Sequence, residues 1–277
     1  MPELPEVETV IRTLEHLIKD TTIQNVDIFY DKLIDNVTKE EFCNRLKAQT
    51  FRAFKRIGKY LIFELDDVHL VVHLRMEGKF YVNDISTKYD SKHTHAIFYL
   101  SNHKQLEYHD TRKFGRMYLY DKNEELSLTP TFKNVGYDVF DERVDPIYLY
   151  TNSRKKKTTL KQFLLDQRIM AGVGNIYADE ICFRCGLHPE TKVYHLTKKD
   201  FKVLLEATRI ILQGAIKAGG TTIRSYTSSL GVDGRFQLQL KVHSKENEAC
   251  KTCGTTIKKI KVGGRGTYYC KKCQRRK

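Results

Sequence analysis

Four cysteines near the end of the chain place the tightest constraint on its fold. Cys250-Lys251-Thr252-Cys253 and Cys270-Lys271-Lys272-Cys273 are separated by sixteen residues, about the interval that one β-hairpin fills. Each CxxC pair turns two thiolates toward one point, and four sulfurs close a tetrahedral zinc shell, so the expected metal is structural. Between the pairs, TTIKKIKV and RGTYY alternate like strands on either side of Gly263-Gly264. A hairpin of that size has too little core to hold its shape, and a metal would pin it. From Cys250 to the end there is no acidic residue, which suits contact with phosphate. Arg275, Arg276 and Lys277 read as a solvated basic tail. Cys182 and Cys185 form another close pair, but no second pair stands nearby to complete a metal shell, and they read as small apolar helix residues.

The same basic bias runs through the whole chain. Lys and Arg outnumber Asp and Glu by 48 to 34, a net charge of +14 over 277 residues, so a polyanion is the first partner to consider. No run of eighteen apolar residues occurs and the start lacks the order of a signal peptide, which points to a cytoplasmic protein with no membrane partner. Seven cysteines in that compartment argue for metal or free thiols over disulfides.

Val7, Val10, Ile11, Leu14, Leu17 and Ile18 recur at helical spacing after Pro5, with Glu3, Glu6 and Glu8 at the end where the macrodipole favours acids. From about residue 23 to 120 the pattern shortens to β-branched and aromatic runs such as RIGKYLIFEL, HLVVHLRMEGKFYV and HAIFYL. These predict a β-sandwich, interrupted by a short helix over 38–46. A weakly periodic stretch then leads to helices. Thr159 opens LKQFLLDQ in capping-box order, AGVGN breaks the pattern, and NIYADEICFRCG resumes it. A glycine turn between two helices offers backbone N–H groups to a phosphate. A further helix is expected over 198–217, ending at Gly219-Gly220. His93 and His95 alternate on a strand with no acid or cysteine placed to make a metal site.

The first residues, MPELPEVETV, have two readings. Pro2 and Pro5 can simply rigidify a helix start. Alternatively, Met before a small residue is a usual substrate for methionine removal, which would leave Pro2 as a secondary amine. An α-amino group titrates near 8, far below a lysine, so part of it is a free nucleophile at neutral pH. Attack on a sugar C1′ would give an iminium, an electron sink for elimination of the 3′ phosphate, with Glu3 adjacent as general acid.

The opening PELPEVETV resembles that of the formamidopyrimidine-DNA glycosylases, bacterial base-excision enzymes for oxidised purines. GKYLIFEL, HLRMEG, DTRKFG, GVGNIYADE, GGTTIRSY, GRFQ and the four-cysteine hairpin follow in that family's order, so the resemblance spans essentially the whole chain. It implies an α+β fold: an N-terminal β-sandwich carrying an N-terminal helix, then a helical domain with a helix–two-turn–helix, then a zinc-ribbon hairpin. The domains are expected at 1–130, 151–235 and 236–277, with a linker over 131–150. The activity implied is DNA glycosylase with AP lyase: release of 8-oxoguanine and formamidopyrimidines through a Schiff base, then β,δ-elimination. The partner implied is double-stranded DNA with oxidised bases, the cofactor one structural zinc on Cys250, Cys253, Cys270 and Cys273, and the protein a bacterial, nucleoid-associated monomer.

Carried over by position, Pro2 resembles the Schiff-base nucleophile and Glu3 the general acid, with Glu6 a second carboxylate near the sugar. Lys59 resembles the lysine that assists β-elimination, and Arg265 the arginine that grips phosphate and helps δ-elimination. Asn175, His93 and Lys155 correspond to backbone contacts. Met76, Arg112 and Phe114 match the residues that fill the hole left by a nucleotide drawn out of the stack; apart from the resemblance, Met76 and Phe114 would read as core side chains. The stretch 221–237, with Gly231 and Gly234, resembles a loop that closes over the extruded base. One departure is VGYDVF before the linker, where many members carry a Gly-Pro-Glu-Pro-Leu-like stretch. Two rival functions are an endonuclease VIII-like glycosylase for oxidised pyrimidines and a non-catalytic zinc-ribbon DNA-binding protein.

Overall fold

The computed structural model describes residues 2–221 and 236–277, and the chain forms two compact units. The first comprises residues up to Lys133 together with residues 219–221. It opens with α1 (Leu4–Ile18), whose Pro5 sits in the first turn, where a missing N–H costs nothing. The apolar stripe expected of this helix is the buried one: Val7, Val10, Ile11, Leu14 and Ile18 all face the core.

Two antiparallel four-stranded sheets follow. β1 (Ile23–Ile28) is separated from the rest by α2 (Lys39–Leu46), the short helix expected over 38–46, with Thr38 as its cap. Then come β2 (Ala53–Ile57), β3 (Tyr60–Glu64), β4 (Val68–His73), β5 (Lys79–Asp84), β6 (Thr94–Leu100), β7 (Lys104–His109) and β8 (Arg116–Asp121). One sheet runs β1-β6-β7-β5 and the other β2-β3-β4-β8. Their inner faces share one apolar cluster with α1, and Phe63 of one sheet meets Phe80 of the other edge to face at 6.0 Å. All six residues of β4 are buried, so both faces of this central strand are covered.

The second unit comprises residues 134–218 and 236–277. It holds β9 (Tyr137–Asp138), α3 (Pro146–Arg154), α4 (Leu160–Leu165), β10 (Met170–Ala171), α5 (Asn175–Arg184), α6 (Lys198–Lys217), and the hairpin β11 (Lys258–Val262) and β12 (Arg265–Tyr269). The stretch expected as linker is partly ordered: residues 131–133 finish the first unit, and α3 begins within it at Pro146. Asp145 caps α3 by accepting from the Tyr148 amide at 2.6 Å, a start signal that weak apolar periodicity conceals. Of the loop expected over 221–237, only Thr221, Phe236 and Gln237 lie among the described residues; Gly231 and Gly234 lie outside them.

Candidate functional site

Glu3 is the N-cap of α1 and is 2% exposed. Its amide donates to Glu6 Oε2 at 3.0 Å. The other oxygen, Glu6 Oε1, accepts from the Thr221 amide at 2.8 Å and the Thr221 hydroxyl at 2.9 Å. One carboxylate therefore ties the chain start to a segment far along the sequence. Gly220, at φ 80°, lies so close that a Cβ would stand 2.8 Å from Glu6 Oε1, which only glycine avoids. Glu6 thus supports the backbone that carries Pro2, itself half-buried.

Lys59 occupies the two-residue turn between β2 and β3, after Gly58 at φ 57°, a left-handed first turn position that glycine adopts readily. A lysine at a hairpin tip would ordinarily extend into solvent, but here it is 6% exposed. The turn is braced from below. Arg56 donates to Glu8 Oε2 at 2.7 Å and to the Gly58 carbonyl at 2.9 Å, locking it to α1. Burial alone would raise the Glu8 carboxyl; the Arg56 and Arg12 guanidiniums outweigh it and hold it below its ordinary value. Arg56 was not singled out from sequence and Glu8 was read only as a helix-start acid, since their pairing spans 48 residues.

Beside this turn, His73 closes β4. Its Nδ1 accepts from the Arg75 amide at 2.9 Å, which leaves the ring hydrogen on Nε2. Burial, reinforced by the charges of Arg75 and Lys59, pushes its pKa down to about 3, so the ring is neutral at physiological pH. The ring of Tyr60 meets it edge-on at 4.5 Å, and Phe132 packs against Tyr60 at 4.9 Å with the rings tilted by 57°.

Met76 is half-buried in the β4–β5 turn, while Arg112 and Phe114 stand exposed in the β7–β8 turn. Phe114 is 48% exposed, and the Arg112 guanidinium lies over its ring at 4.7 Å. A large apolar side chain held in solvent this way points to a contact surface. His93, half-buried, precedes β6, and its carbonyl accepts from the Asp110 amide at 3.0 Å. His95 is buried, with Nε2 against the Asp110 carbonyl at 2.8 Å, a structural role.

In the second unit, α5 starts at Asn175 behind Gly174, a glycine-led helix start of the kind whose dipole favours an anion. Asn175 Nδ2 donates to the Gly266 carbonyl at 3.1 Å, and its buried Oδ1 has no hydrogen-bond partner. Lys155 is exposed at the C-cap of α3. Its neighbours are otherwise engaged: Lys156 pairs with Asp166 at 2.7 Å and Arg154 holds the Val193 and Leu196 carbonyls.

The four cysteines bring their sulfurs within 4.8 Å of one another, the one such cluster among the described residues. The separations are 3.9 Å for Cys250 and Cys273 and 3.4 Å for Cys253 and Cys270, against about 3.8 Å for the edge of a zinc–thiolate tetrahedron. Each pair is folded into a knuckle, by Gly254 N to Cys250 O at 2.8 Å and Gln274 N to Cys270 O at 3.0 Å. The Thr255 hydroxyl and amide hold the Cys253 thiol down at about 6, favouring the thiolate that a metal needs. These residues fit one structural zinc. The ribbon's own apolar cluster, Val242, Cys250, Ile257 and Cys270, is as small as the sequence implies. At its tip, Gly263 and Gly264 at φ 55° and 78° make a two-residue turn, and Arg265 follows, exposed.

The ribbon is fastened to the helices by buried charge. Lys161 Nζ meets Asp179 Oδ1 at 2.7 Å, the Gly266 carbonyl at 3.0 Å and Thr267 Oγ1 at 2.9 Å, with neither charged side chain exposed. Asp179 Oδ2 lies 2.8 Å from His243 Nδ1 and accepts from the Tyr268 amide at 3.3 Å. Glu180 accepts from the amides of Lys241, Val242 and His243, each at 2.9 Å. Cys182 and Cys185 take no part, and burial pushes the Cys185 thiol up to about 12.

A β-sandwich with a buried acid at its N-terminal helix cap, a paired-helix glycine turn and a four-cysteine ribbon define a class of helix–two-turn–helix, zinc-ribbon proteins. Residues 1–117 match the formamidopyrimidine-DNA glycosylase N-terminal domain, 135–227 the H2TH domain of the same enzymes, and 247–276 a zinc finger found in Fpg and IleRS. The chain is 46% identical to the formamidopyrimidine-DNA glycosylase of Bacillus subtilis, with all of both chains covered, and 44% identical to that of Oceanobacillus iheyensis, covering 99% of this chain and 98% of that one. A Lactococcus lactis Fpg in complex with DNA containing an abasic site superposes with a TM-score of 0.91 at 39% identity, covering 99% of this chain and 100% of that one. The chain belongs to the formamidopyrimidine-DNA glycosylase family.

Proposed function

We propose that this protein releases oxidised purines from duplex DNA as a base-excision glycosylase and cleaves the strand as an AP lyase. The observation that carries the assignment is the seat built for the chain start. Glu3 is buried beside Pro2, and a fully engaged Glu6 carboxylate fixes the Glu3 backbone. Freed of Met1, the Pro2 nitrogen attacks C1′ of the damaged nucleotide; the C1′–N bond to the base breaks and the base leaves with a proton. Glu3 supplies a proton to the sugar ring oxygen as the C1′–O4′ bond breaks, which opens the ring and leaves a C1′=N⁺ iminium. The iminium keeps its charge with no proton to lose, so the C2′ proton is removed and the C3′–O bond breaks with the phosphate as leaving group. Lys59 serves this first elimination, and Arg265 the second, at C5′. Met76, Arg112 and Phe114 fill the vacated stack, Arg112 facing the orphaned base. His93, Lys155 and Asn175 hold backbone phosphates, and the cysteine-bound zinc keeps the ribbon folded without entering the chemistry. The protein works as a single chain on bacterial DNA; no helix among the described residues is long and apolar enough to cross a membrane.

Borohydride trapping tests the reading. Covalent capture is expected on duplexes carrying 8-oxoguanine, and its loss in Pro2→Gly. Capture only on oxidised pyrimidines would move the assignment to an endonuclease VIII-like enzyme, and no capture on any lesion would leave a DNA-binding protein without this chemistry.

A further inference from the structure

The two turns assigned to fill the stack share one buried support. Tyr108, on β7, is fully buried and pairs in register with Phe80 of β5, the rings 5.2 Å apart. Its hydroxyl reaches between the turns. A Cβ at Gly115, in the β7–β8 turn, would stand 1.7 Å from that oxygen, and a Cβ at Gly78, in the β4–β5 turn, 2.4 Å from it. Both glycines are therefore cut to the same side chain, and neither turn can shift toward the other without meeting it.

Two residues on, Asp110 is 1% exposed and holds the β7–β8 turn from inside. Its Oδ1 accepts from the Arg112 amide at 2.9 Å; its Oδ2 accepts from the Phe114 and Gly115 amides at 2.9 and 2.8 Å. Its own backbone is tied on both sides, the amide to the His93 carbonyl at 3.0 Å and the carbonyl to His95 Nε2 at 2.8 Å. Lys113 takes the left-handed conformation that lets the turn wrap the carboxylate, at φ 57°. The outcome is a turn whose side chains are exposed and whose backbone is fixed, the arrangement that lowers the ordering cost of inserting them.

We propose that Asp110 and Tyr108 are positioning residues that hold the Met76 turn and the Arg112–Phe114 turn in one register, so that the three side chains enter the duplex as a rigid unit. This rests on the reading of those three as the filling residues. Asp110→Asn offers one acceptor and an amide donor where three N–H groups converge, so the turn frees itself from its seat. Gly115→Ala disturbs it from the other side, by driving a methyl group into the Tyr108 hydroxyl.

Single-turnover release of 8-oxoguanine opposite cytosine in a duplex is compared with β-elimination at a preformed abasic site in single-stranded DNA, which leaves no stack to fill. Each variant is expected to lose about tenfold in the duplex reaction, as a disordered insertion loop would. The single-strand reaction is expected to stay within about twofold of the parent. Insertion, followed by 2-aminopurine fluorescence beside the lesion, slows in step with the duplex loss. Equal losses on both substrates, or no duplex loss in either variant, would overturn the proposal. Arg112→Ala, run in parallel, separates the two levels. If it leaves duplex release intact, the filling assignment itself falls, whatever Asp110 does.

Discussion

Replacing Asp179 by leucine, while leaving Lys161 in place, should be among the most damaging single changes available in the second unit. The ammonium would keep the Gly266 carbonyl and Thr267 hydroxyl but lose the Asp179 countercharge, in a site where neither side chain of the pair has any exposure. Breaking such a pair from one side costs about 3–5 kcal/mol. The His243 ring and the Tyr268 amide would lose their acceptor as well, adding about 1 kcal/mol each. Lys161→Met is milder, at about 2–3 kcal/mol. There the carboxylate retains His243 and the Tyr268 amide, while the Gly266 carbonyl retains Asn175. The double variant Lys161→Met/Asp179→Leu removes both charges, and its cost should fall short of the sum of the singles by at least about 2 kcal/mol. The appropriate assay is hydrogen exchange under mild urea at the amides of α4, α5, β11 and β12, because a protein of two units has no single unfolding transition to fit. Additive costs, with a coupling below about 0.5 kcal/mol, would refute the reasoning by showing that water reaches and screens the pair.

Three further outcomes are expected. Zinc chelation, or Cys253→Ser, should unfold the ribbon and weaken duplex binding by more than about tenfold, while circular dichroism of the β-sandwich persists; unchanged binding by metal-free protein would remove the zinc from any structural role. His73 gives a signed pH dependence. Its folded pKa of about 3 lies below the unfolded value of 6.5, so the unfolded chain binds the extra proton between them. Its contribution is complete above pH 6.5 and shrinks as pH falls, by about 2 kcal/mol at pH 5. His73→Gln should flatten that part of the stability profile, measured by thermal unfolding at pH 7 and pH 5. Duplex affinity should fall steeply with salt, with a slope of log K against log salt of about −4 or steeper if five or more phosphates are neutralised; a flat response would sink the assigned phosphate contacts.

Local signals carried much of the fold. The stripe after Pro5 and the Thr159 capping order located α1 and α4, and the helices expected over 38–46 and 198–217 are α2 and α6, because periodicity and caps are written within a few residues of each helix. The zinc site was legible for the same reason: two CxxC pairs state their geometry by spacing. What the sequence hid lies between distant partners. Glu6 reads as one more acid near the helix start until Thr221 supplies its other contacts. Lys161 reads as a surface lysine on a short helix, and is buried only because α5 brings Asp179 to it. Asp110 reads as a turn residue, and its three amide contacts depend on a left-handed Lys113 that no residue preference announces. Lys59 was found by resemblance, since a lysine at a two-residue turn gives no sign that it will be covered.

The contact between Glu6 and Thr221 spans 215 residues. During synthesis the helix start leaves the ribosome early, yet its carboxylate gains the Thr221 contacts only when about four-fifths of the chain has followed. The chain start is therefore among the first parts made and among the last to be seated. A nascent or truncated chain ending before residue 221 would carry Glu6 without its Thr221 contacts, so the seat of the chain start is finished only after residues 134–218 of the second unit have been made.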